Sequence, residues 1–288
     1  MEISQLILQL CFNMIIAGGI YALTATGYSV IQATLKFINF QHAQMCVLGA
    51  YVAYFVSEQL GLGLLLGCAV AIPSVAFLGV IIEKVGYKPL RNAPSMSPMI
   101  TSLGFSIVIL NSVTLIWGPW VKAYSLPSMH NISVFGAIIT IPQLATIILA
   151  IGALFILHFF IKDTKLGKAM RAVADNRDYA ALMGIDVDRV VSSLFALSSG
   201  LAAMTGILIG IEGILTPVMG TALLVRVFAA SIIGGLGNIS GAIIGSFVIA
   251  GVEVLGTWFY SPAYATAYAF IILIAVMLLR PGGFFGEK

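Results

Sequence analysis

Apolar runs close to the ~20 residues that carry an α-helix across a bilayer recur along the whole chain. They fall at roughly 5–31, 40–57, 63–83, 97–118, 142–161, 188–212, 222–236, 239–258 and 264–280. A water-soluble globule cannot hide so many, because its surface still needs polar cover. Composition agrees: 60% of residues are hydrophobic and 9% are charged, and the mean hydropathy is +1.07. The chain therefore reads as all-α, a polytopic membrane helical bundle. The run near 222–236 is short and carries Arg226. Whether it crosses, or is a broken or re-entrant piece, stays open, so the spans number about eight or nine.

Charge orients the bundle. Lys84, Lys88 and Arg91 form one basic cluster, and Lys162, Lys165, Lys168, Arg171, Arg177 and Arg189 form another. Two runs separate the clusters, so both fit the cytoplasmic side under the positive-inside rule. Residues 119–141 and the N-terminus, with Glu2, then face outside. Arg280 and Lys288 place the C-terminus inside, provided 222–236 crosses. The N-terminal "MEISQLILQL" has no basic stretch ahead of its apolar run, so no cleavable signal peptide is expected. No soluble domain of any size is visible, and residues 1–288 read as one transmembrane unit. Cys11, Cys46 and Cys68 match no metal or disulfide spacing and read as free thiols. No metal site and no nucleic-acid partner is expected.

A chain so poor in charge gathers much of it in "LGKAMRAVADNRDYAALMGIDVDR", residues 166–189. Asp175 and Asn176 are good N-cap residues, since their side chains accept from the free N–H groups of a starting helix. Gly184 suits the position after a helix end, where φ turns positive. Between them "RDYAALM" makes about two turns. Upstream, Leu166, Met170 and Val173 share one face at i, i+4 and i+7. The connection at about 162–189 thus reads as an amphipathic helix, a short capped helix and a re-entry into the membrane. An ordinary solvated loop is the competing reading. Against it stand the length of the connection and the small and apolar residues Ala180, Ala181, Leu182 and Met183 in a charged frame. A short helix with an apolar face and a charged rim suits docking into a groove.

This stretch resembles the cytoplasmic loop of branched-chain amino acid ABC transporter permeases (the LivH-like family). "GGIYALTATGYSVI", "INFQHAQMCVLGAYVAY", "IEKVGYKPLR" and "IIGGLGNISGAIIGSFVIAGVE" resemble other family segments, in the family's order and over most of the chain. The resemblance implies a multi-pass permease of the bacterial inner membrane. It implies pairing with a second, related permease, two ATP-binding cassette subunits docked below, and a periplasmic substrate-binding protein above. ATP and Mg would bind in the partner subunits and no cofactor in this chain. The charged stretch would be the ATPase-coupling loop, carried by Arg171, Asp175, Asn176, Arg177, Ala180, Leu182, Met183 and Gly184. The chain departs from the family at Ala43, where Gly is common, and at Gln44, where Glu is common. That leaves the substrate open among branched-chain or hydrophobic amino acids, urea, short amides and small carboxylates.

Ionisable side chains inside spans are costly and mark function by default. Here they are His42, Glu212, Arg226 and Glu253. "NFQHAQ" places Asn39, Gln41, His42 and Gln44 at the start of a span, either lining a substrate pathway or capping the span at the interface. Arg226 and Glu253 are expected to pair within the membrane, as a structural ion pair or a substrate contact. The glycine pairs Gly206/Gly210 and Gly241/Gly245 suggest close helix packing, and "GGLG" at 234–237 a helix break. "GKAM" lacks the glycine and the Ser/Thr of a phosphate-binding loop, so the chain is not expected to hydrolyse ATP. His42, His130 and His158 are isolated, and no nucleophile or metal set of an intramembrane enzyme appears. An ion-coupled carrier relaying protons through His42, Glu212 or Glu253 is a further class, but it needs no dock for a motor.

Overall fold

The computed structural model describes residues 3–91, 93–126, 131–134, 136–280 and 282–285. Glu2, His130 and Lys288 lie outside the described residues. Helices dominate in this order: α1 (Ile3–Leu35), α2 (His42–Tyr54), α3 (Leu64–Ile82), α4 (Met96–Trp117), α5 (Ile141–Asp163) and α6 (Lys165–Asp175). There follow α7 (Arg177–Leu182), α8 (Val187–Glu212), α9 (Met219–Gly234), α10 (Ile239–Phe259) and α11 (Ala265–Leu279). A π turn, Phe55–Gln59, lengthens α2, and α3 runs on through Glu83–Tyr87 and Lys88–Leu90. A hairpin of β1 (Asn131–Val134) and β2 (Ala137–Thr140) leads into α5, which Thr140 and Gln143 close with a reciprocal capping box.

Among the described residues, seven helices are long and apolar enough to cross a membrane. α2 with its π turn and the shorter α9 complete the set of nine apolar runs read from the sequence. The protein is a polytopic helical membrane protein. Outward faces are greasy, with Leu65, Leu115 and Leu278 all more than four-fifths exposed, as lipid contact requires.

The question over 222–236 is answered by what lies at each end of α9. Just before it, Leu215 pairs with Lys122 in the loop after α4, on the hairpin side of the molecule. At its other end, Ile233 and Gly234 accept hydrogen bonds from the Phe284 and Phe285 amides. A cavity there is shared by Ile232, Lys36 and Arg171, at the basic end. α9 thus connects the two ends, although its 16 residues rise only about 24 Å. Gly235 and Gly237, at φ of 100° and 83°, make the break before α10, a conformation that a side chain would strain. Asn238 caps α10 by accepting from the Gly241 amide at 2.9 Å.

α8 is the central post, with 61% of its span buried, against 11% for the span of α11. It packs on α2 at nearly backbone contact. A Cβ at Gly206 would collide with the Cys46 carbonyl, and one at Gly49 with Ala203. Small residues are what allow such approach where no hydrophobic effect drives helices together.

Candidate functional site

The charged connection folds as a bracket of two capped helices. Thr164 ends α5 and begins α6 at once: its hydroxyl donates to the Phe160 carbonyl at 2.6 Å and accepts from the Gly167 amide at 2.9 Å. Arg171 reaches back to the Ile161 and Lys162 carbonyls at 2.7 and 3.2 Å, satisfying the open end of α5. α6 buries Met170 and Val173 against Val30 of α1 and Val190 and Leu194 of α8. Asp175 is the last residue of α6, and Asn176 is the cap. The Asn176 side-chain oxygen accepts from the Asp178 and Tyr179 amides, both at 3.0 Å. Beyond α7, Gly184 takes φ of 81°. Its amide and that of Ile185 then return to the Ala181 and Ala180 carbonyls, which closes the helix end. Asp186 caps α8 through the Arg189 amide.

One sequence expectation is corrected here. Ala180 is not on the outer rim with Leu182 and Met183. It is 4% exposed and packs inward against Met170, Val173 and Val190. The outer face is Tyr179, Leu182 and Met183, exposed by 70, 81 and 85%. These positions, i, i+3 and i+4, share one side of a helix, and Ala180 is turned off it. Tyr179 was missed because its ring reads equally well as core. Arg177 lies half-buried on the wall of a neighbouring cavity.

The other basic cluster fastens this bracket to the bundle, which sequence reasoning also missed. Arg91 pairs with both Glu83 and Asp188, Lys88 reaches Asp188 at 2.7 Å, and Ser192 donates to Glu83 at 2.8 Å. The end of α3 is thereby tied to the first turn of α8.

"NFQHAQ" forms a polar knot inside the chain. Asn39, Gln41, His42 and Gln44 are all buried, and none lines either cavity at the basic end or the one at the hairpin end. All four are turned into this chain and away from its surface. The reason is partners: Tyr87 donates to Gln41 at 2.8 Å, and the Gln41 amide to the Asn39 side chain at 3.2 Å. His42 Nε2 lies 3.0 Å from the Thr24 carbonyl and Nδ1 3.1 Å from the Ser198 hydroxyl. A carbonyl only accepts, so Nε2 carries a proton. The Gln44 side-chain oxygen has no hydrogen bond among the described residues. Removing one partner from such a knot leaves the other unsatisfied. Tyr87→Phe is expected to cost about 1–3 kcal/mol, seen as a lower melting temperature of the purified protein; an unchanged value would contradict the assignment.

Deeper in the bundle, Arg226 Nε donates to Glu253 Oε1 at 2.7 Å, and the Tyr21 hydroxyl donates to Glu253 Oε2 at 2.6 Å. The guanidinium also lies over the Tyr21 ring, 5.7 Å from its centre. Both carboxylate oxygens are satisfied and the positive charge is shared between an acid and a π face. Among the described residues, no three His, Cys, Asp or Glu side chains gather into a metal site.

A family described as the branched-chain amino acid transport system / permease component matches residues 10–279. The chain belongs to this permease family. The high-affinity branched-chain amino acid transport system permease protein LivH of Escherichia coli K12 is 33% identical over 97% of this chain and 96% of its own length. The corresponding protein BraD of Pseudomonas aeruginosa is 30% identical, with the same coverage. The autoinducer 2 import system permease protein LsrC of Klebsiella pneumoniae is 28% identical over 63% of this chain and 54% of its own. Among solved structures, PsaBC from Streptococcus pneumoniae in complex with Fab matches with a TM-score of 0.52 and 15% identity, over 95% of this chain and 92% of that one. At that identity the likeness speaks to the fold alone. The bracket at the basic end and the charged cluster are two separate features of the chain, one on the surface and one within the bundle.

Proposed function

We propose that this chain is the membrane-spanning permease subunit of an ABC importer that carries branched-chain or other hydrophobic amino acids across the bacterial inner membrane. The basic end faces the cytoplasm. There two ATP-binding cassette subunits dock and hydrolyse ATP with Mg, while a second, related permease completes the pathway and a periplasmic binding protein delivers substrate. The observation that carries this reading is the exposed Tyr179–Leu182–Met183 face on α7. A six-residue helix that is capped at both ends and yet presents three large apolar side chains to water is organised for a partner. The names of the full-length relatives supply the substrate class.

The test is isolation of the chain in mild detergent, then reconstitution. Co-isolation of two ATPases and a second permease, with leucine uptake that requires ATP and the binding protein, is the expected result. Leucine uptake by the chain alone, driven by a proton gradient, would replace the importer by an ion-coupled carrier. Uptake of urea, a short amide or a carboxylate in place of leucine would overturn the substrate class.

A further inference from the structure

Neither the docking face nor the polar knot uses the cavity at the hairpin end of the bundle. It has a volume of about 520 Å³ and lies between α1, α8 and α9, with the start of α5 and part of α10 closing it. That is within the roughly 300–1,000 Å³ of small-molecule sites. Most of its wall is aliphatic, including Ile20, Ile209, Leu223 and Val254. Arg226 and Glu212, of opposite charge, stand on the same wall.

The two charges are not spent on each other. Arg226 gives its Nε to Glu253, and Glu253 is filled by Arg226 and Tyr21. The two terminal guanidinium nitrogens make no hydrogen bond among the described residues, and the side chain keeps 19% exposure. The Glu253 contact therefore fixes the plane of a guanidinium fork whose remaining donors are free, the arrangement that binds a carboxylate in two places. Glu212 ends α8 with the Gln143 and Thr146 side chains as hydrogen-bonding neighbours of its carboxyl group, while its Oε1 is buried without a hydrogen bond among the described residues. A buried acceptor left open is costly unless a donor arrives to fill it.

We infer that this cavity is a resting site for a zwitterionic α-amino acid in transit, with the carboxylate on Arg226, the ammonium on Glu212 and the aliphatic side chain against α1, α8 and α9. Urea or an amide leaves the Arg226 fork without an anion, and a simple carboxylate leaves Glu212 open. The site rests on the importer reading above and locates where, in this chain, that substrate class is held. It places the held substrate away from "NFQHAQ", whose Asn39, Gln41 and His42 are partnered within the fold.

The test uses the assembled complex with its binding protein, and a cysteine placed at Ala222 or Met219, both on the cavity wall. N-ethylmaleimide should label Ala222→Cys and Met219→Cys above the wild-type background. Leucine should slow that labelling at least threefold, whereas leucine amide and 4-methylpentanoate, which lack one charge each, should not. Ala222→Trp, which fills the cavity, should cut leucine uptake per assembled complex at least tenfold. Glu212→Gln, of unchanged shape, should abolish the protection. If Ala222→Trp fails to assemble, the cysteine protection decides alone. Wild-type complex that takes up leucine, with cysteines unlabelled at both positions or equally labelled with and without leucine, overturns the site and leaves the importer reading standing. Wild-type complex that takes up no leucine removes the importer reading and this site with it.

Discussion

Arg226→Met is expected to destabilise the protein by about 3–5 kcal/mol, and the double variant Arg226→Met with Glu253→Gln by clearly less. The argument is one of stranded charge. Glu253 is a carboxylate in mid-helix whose side chain is 7% exposed. Its charge is tolerated because Arg226 neutralises it and Tyr21 donates to the second oxygen. Without Arg226, a buried anion retains one neutral donor, far too little to offset its desolvation. Glu253→Gln alone should cost less than Arg226→Met, because the guanidinium is the more exposed partner, at 19%, and can turn toward the cavity. The order expected in melting temperature is wild type, then Glu253→Gln, with Arg226→Met lowest. The double variant should lie above Arg226→Met. Additive losses in this cycle would mean that the two groups do not interact.

What could be read in advance follows from what lipid demands. A span must be long and apolar, so the positions of the helices were legible, including α9, whose reach from one end of the bundle to the other only its end contacts show. Which side of each span faces inward was not, because α1, α3 and α4 are apolar on nearly every side and no stripe marks the inward face. Outside the membrane the opposite held. α6 alternates charged and apolar positions, and Met170 and Val173 are buried as that stripe indicates. Asn176 and Gly184 could be placed as cap and stop because each acts through its own backbone neighbours. Ala180 could not, since six residues hold too little periodicity to tell the inner side from the outer. "NFQHAQ" shows the same limit for polar groups. Its polar side chains look alike in sequence whether they await a substrate or, like Gln41 and His42, are already partnered by Tyr87, Thr24 and Ser198.

Leu182→Asp with Met183→Asp should disconnect ATP hydrolysis from transport while leaving the permease folded. Both side chains are more than four-fifths exposed, so two carboxylates there meet water and cost the isolated chain little. In the proposed complex the same positions enter a groove on an ATPase subunit, where each would bury an unpaired charge in place of an apolar contact. Loss of a buried anchor at an interface costs about 2 kcal/mol or more, roughly thirtyfold in affinity. Binding-protein-stimulated ATPase activity and leucine uptake should both fall by at least that factor, with the melting temperature of the free permease unchanged. Ala180→Glu is the informative contrast. Ala180 packs on Met170, Val173 and Val190 from the inner side of α7, so a carboxylate there should lower the melting temperature of the permease itself. A coupled, fully active complex carrying Asp at 182 and 183 would show that α7 is not the dock. Were the double Asp variant instead to unfold, Tyr179→Asp, at 70% exposure on the same face, would repeat the test without touching the end of the helix.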